Sequence, residues 1–132
     1  MQGARAVQTL LAERFPLADV SVSMVWINML GPDSADAAEA AARIVGDPRA
    51  RHFYDPNRGV GQAIAASIGG RGQVAWDMVL FYPAGGEWQA APPRPATWAH
   101  QLAGEVWADP LRYRGGGGLL EALCAAMSEL AT

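Results

Sequence analysis

The chain has 132 residues, 51% hydrophobic and 17% charged, with a formal net charge of -3. That length fits one domain, residues 1–132, with one modest core, and the hydrophobic share excludes disorder over most of it. The ten basic residues are all arginines scattered along an acidic chain, which argues against a general nucleic-acid binder, and the absence of lysine excludes Schiff-base chemistry.

The first predicted element is a helix over 4–15, with Val7, Leu10 and Leu11 at helical spacing and Pro16 as its stop. Charge lies inside this apolar pattern, so the opening MQGARAVQTLLAERF does not read as a signal peptide. The expected location is therefore cytoplasmic. No apolar run reaches the ~18–20 residues that a membrane-spanning helix needs, so no membrane insertion is expected.

Val20 to Leu30 reads as a strand that alternates at first and then becomes apolar throughout, as a strand buried on both faces does. A helix starts near Asp33 or Ser34, with Asp33 as the expected N-cap, and runs to Val45. Arg51–Tyr54 is a short strand, Asp55-Pro56-Asn57 a turn, and 58–68 a third helix on the line Val60, Ile64, Ile68. Val74–Tyr82 is the second strong strand, with a hairpin return over Glu87–Gln89. Thr97 is expected to cap a short helical turn through Trp98, His100 and Leu102. The segment 104–118 is irregular. A last helix over 119–130 carries the stripe Leu119, Leu120, Leu123, Met127, Leu130. This order predicts an α/β fold with one mixed sheet and helices on both faces.

Five stretches carry a family likeness. They are VQTLLAERFP (7–16), the strand Val22–Asn28, HFYDPNRGVG (52–61), VAWDMVLFYPAGGEW (74–88) and the final helix. Their order resembles the thioredoxin-like superfamily, in the branch of peroxiredoxins and membrane-tethered thiol reductases. The resemblance implies a thioredoxin-like domain shortened at its N-terminus. The family's CxxC and first strand would precede Met1, and its cis-proline place falls on Gln73, Val74 or Ala75. Cys124 is the sole cysteine, which leaves no CxxC pair within the chain.

Asp77 is a carboxylate inside an apolar strand, so it must be paired, protonated or solvent-facing. Arg51, Arg94 and Arg112 are the arginines considered to neutralise it. Trp88, Trp98 and Trp107 lie in the hairpin and the irregular segment, with His100 among them. Asp77, Trp88, Trp98, His100 and Trp107 are thus the candidate ligand or partner site. Neither histidine stands in an HxH or HExxH pattern, and no metal or cofactor is expected. The leading expectation is a redox-inactive thioredoxin-like domain that binds a protein partner or forms a homodimer. One alternative is a truncated thiol–disulfide oxidoreductase or peroxiredoxin-like protein with its CxxC upstream of Met1. A third is an enzyme using His100 and Asp77.

Overall fold

The computed structural model describes residues 2–29 and 34–130. Helix α1 spans Gln2–Thr9 and continues as a π-helical segment, Leu10–Arg14. There the Phe15 N–H reaches back to the Leu10 carbonyl across 2.8 Å, and Pro16 ends the run. Val7, Leu10 and Leu11 are buried, as their spacing requires.

Strand β1, Val22–Ile27, pairs in parallel with β2, Ala50–Asp55, in the register Val22↔Ala50 to Ile27↔Asp55. Parallel neighbours need a crossover, and helix α2, Ala35–Ala42, lies within it. The Ser34 hydroxyl caps α2 by accepting from the Ala37 N–H at 3.1 Å. The expected cap, Asp33, lies outside the described residues. Helix α3, Gly59–Ser67, follows β2. The buried Asp55 carboxylate accepts from the Val60 and Gly61 N–H groups, at 3.0 and 3.2 Å, and satisfies two donors of the first turn of α3. Strand β3, Met78–Phe81, pairs antiparallel with β4, Thr97–His100. Helix α4, Gly118–Leu130, closes the chain.

The expectation of one mixed, thioredoxin-like sheet is overturned. β1–β2 and β3–β4 are two separate two-stranded sheets. Val74–Asp77, expected as the start of a long strand, is held elsewhere. The Ala75 N–H donates to the Gly61 carbonyl in α3 at 2.8 Å, and Asp77 adopts a left-handed backbone with φ 53°. Strand geometry therefore begins only at Met78. The likeness to thioredoxin-like proteins fails at the sheet that defines that fold.

The hairpin return is also corrected, from Glu87–Gln89 to β4. Pro92, Pro93 and Pro95 have no N–H to give a ladder, so pairing resumes only beyond them. Thr97 accordingly opens a strand, not a helical turn.

Both sheets feed one core. Leu11 of the π-helical segment, Val45 after α2, Phe81 of β3, Ala99 of β4 and Leu119 and Leu123 of α4 belong to one buried cluster. α4 packs beside α1 and against both β3 and β4. Among the described residues no helix is long and apolar enough to cross a membrane.

Candidate functional site

The site grows from β4. Alternation along Thr97-Trp98-Ala99-His100 buries Ala99 opposite Val79 and sets Trp98 and His100 on the other side. The two rings lie 5.7 Å apart, and Tyr113 meets His100 edge-on at 5.9 Å.

His100 is 1% exposed and both ring nitrogens are engaged. Nδ1 accepts from the Leu102 N–H at 3.0 Å, so Nδ1 carries no proton. Nε2 then holds the proton and donates to the Asp109 carbonyl at 2.8 Å. This neutral imidazole fastens the 109–114 segment to β4. The Arg114 N–H adds a bond to the His100 carbonyl at 2.9 Å. The Asp109 carboxylate caps the 3-10 turn Pro110–Arg112 through the Leu111 N–H at 3.0 Å.

That turn delivers Arg112. Its guanidinium carbon sits 5.0 Å from the centre of the Trp98 ring, in cation–π range. Nη1 donates to Thr97 Oγ1 at 3.1 Å and to the Trp98 carbonyl at 3.2 Å, while Nε lies 3.6 Å from Asp109 Oδ2. Arg114 is fixed similarly, with Nη1 on the Leu111 and Tyr113 carbonyls, each at 2.8 Å. Between β4, this segment and α4 lies an open cleft of about 620 Å³. Phe81, Ala99 and Ala126 line its buried side, and Glu121, Ala125 and Glu129 line it from α4. Both signs of charge therefore face one concavity.

Of the expected site residues, the structure brings together only Trp98 and His100. Asp77 is exposed, its carbonyl accepts from the Gln101 N–H at 3.0 Å, and its carboxylate lies beside Gly3 of α1. Although the residue as a whole is exposed, partial desolvation of its carboxyl against α1 raises its pKa above the usual 3.8, and no arginine pairs with it among the described residues. Trp88 is 47% exposed in the loop before β4. Trp107 packs over Gly70, where any side chain would collide with the indole. The sequence reading weighed Arg112 only as a partner for Asp77 and passed over Arg114 and Glu121. The readable signal was Asp109-Pro110, an Asx-capped turn that places Arg112 three residues on.

Other chemistry is accounted for locally. His52 repeats the arrangement of His100: Nδ1 accepts from Trp26 Nε1 at 3.1 Å and Nε2 faces the Val45 carbonyl at 2.9 Å. Among the described residues, no group of three or more His, Cys, Asp or Glu side chains is placed to hold a metal ion. Cys124 is half-buried, 3.8 Å from Arg14 Nη1, and does not line the cleft. Comparison with protein-family models, curated proteins and solved structures returns no match.

Proposed function

We propose that the chain is a non-catalytic protein-binding module whose contact face is the cleft beside Trp98 and Arg112. The observation that supports this most is the Arg112 guanidinium, held over an indole and fastened to Thr97, the Trp98 carbonyl and Asp109. Arg and Trp anchor many interfaces, and side chains fixed beforehand lose little rotamer freedom on contact. The neutral His100 beneath has both nitrogens in use, so it offers no lone pair for general-base work.

Native size tests the reading. In extracts of cells that produce it, the chain is expected in an assembly heavier than its own 14.0 kDa. Ala125→Arg sets a long side chain into the cleft from an exposed helix position, and is expected to return the chain to the monomer position. A monomer position for both forms overturns the reading.

A further inference from the structure

We infer that the occupant of the cleft is a second copy of this chain, docked about a two-fold axis. This rests on the cleft being a contact face and goes further by naming what meets it. A two-fold interface uses one patch twice, so that patch must complement itself. This one carries both halves of such a contact. Leu111 lies at the cleft and is 82% exposed, an apolar knob beside a hole. The hole is walled on α4 by Gly118, Ala122 and Ala125, small residues that let another chain approach closely.

The charges follow the same logic. Arg112 and Arg114 enter the cleft from the segment ahead of α4, where Asp109 offsets part of their charge, and Glu121 enters it from α4 itself. A partner of one sign would meet like charge on one side of the cleft. A second copy, turned about the two-fold, offers carboxylates to the arginines and arginines to the carboxylates. Each Leu111 then enters the other copy's cleft.

Sedimentation of the purified chain tests this. The wild type is expected to shift with concentration from 14.0 kDa to twice that mass. Leu111→Glu and Ala125→Arg are each expected to raise the dissociation constant at least ~10-fold, the loss of an interface anchor. Leu17→Glu, at a 95% exposed leucine outside the cleft lining, is expected to leave the dimer unchanged, and thermal melts of each variant report its folding. A wild type that stays monomeric at every concentration overturns the inference. So does a dimer that survives both cleft substitutions. A purified monomer together with a heavy native assembly overturns only the second copy, whereas monomers in both experiments overturn the cleft reading as well.

Discussion

Arg49, just ahead of β2, is tied to the end of the first helix. All five guanidinium N–H donors are used. Nε and one Nη2 proton go to Asp47, at 2.9 and 2.8 Å. The other three donate to the carbonyls of Leu11, Phe15 and Ala18, at 2.8, 2.9 and 2.9 Å. These carbonyls belong to the π-helical segment and its exit, and those of Phe15 and Ala18 also accept the Ala18 and Val20 N–H groups, at 3.3 and 3.1 Å. Asp47 keeps the fork in place, and its side-chain bond to Arg49 lowers its pKa from 3.8 to about 2. A carboxylate with a depressed folded pKa stabilises the fold above its unfolded pKa and ceases to as pH falls through the folded value. The stability gap between wild type and Asp47→Asn is therefore expected to be full above about pH 4 and to close toward pH 2 in thermal melts. A gap that stays constant across that range would contradict the role given to this pair. Local pattern does not show this contact, because the carbonyls that Arg49 reaches lie over thirty positions away in the chain.

At the scale of elements, helices were more legible than sheets. Periodicity placed the buried faces of α1 and α4, since a helix needs only local spacing to declare them, but in α3 the buried residues are Gly61 and Ala65 and not the expected line Val60, Ile64, Ile68. Strand pairing depends on distant partners, and there the reading went astray. Gly61 shows why. A Cβ on Gly61 would lie 2.6 Å from Val74 Cγ1, 2.8 Å from the Ala75 carbonyl and 3.1 Å from Ile27 Cδ1. Only glycine lets α3 press this close, and the contact holds Val74–Ala75 away from strand geometry. Helix propensity alone makes Gly61 a weak point in α3. Gly61→Ala is expected to destabilise the fold by about 1–3 kcal/mol, as overpacking does, despite the better helix propensity of alanine. Denaturant unfolding would show it, and a neutral or stabilising result would place the α3 contact elsewhere.

For the whole molecule, the sequence identified the aromatic and histidine content of the 97–114 region but not its arrangement. Trp98 and His100 were singled out, and the cleft forms beside them. Asp77, Trp88 and Trp107 were grouped with them because they share loops and apolar company in the chain. The fold sends each to a different neighbourhood: Gly3, an exposed loop and Gly70. The residues that complete the cleft come from a capped turn and the outer face of α4, and only packing brings those together. The two-sheet architecture leaves this cleft as the place where oriented cations, carboxylates and an exposed leucine converge. On the proposed reading, this face meets a second copy. The five tryptophans give the most direct measurement, because each indole N–H has its own nitrogen-resolved NMR signal. As the protein is concentrated, the Trp98 signal is expected to move while those of Trp88 and Trp107 hold still. A moving Trp88 or Trp107 signal with Trp98 unchanged, or no movement in any of the five, would contradict it.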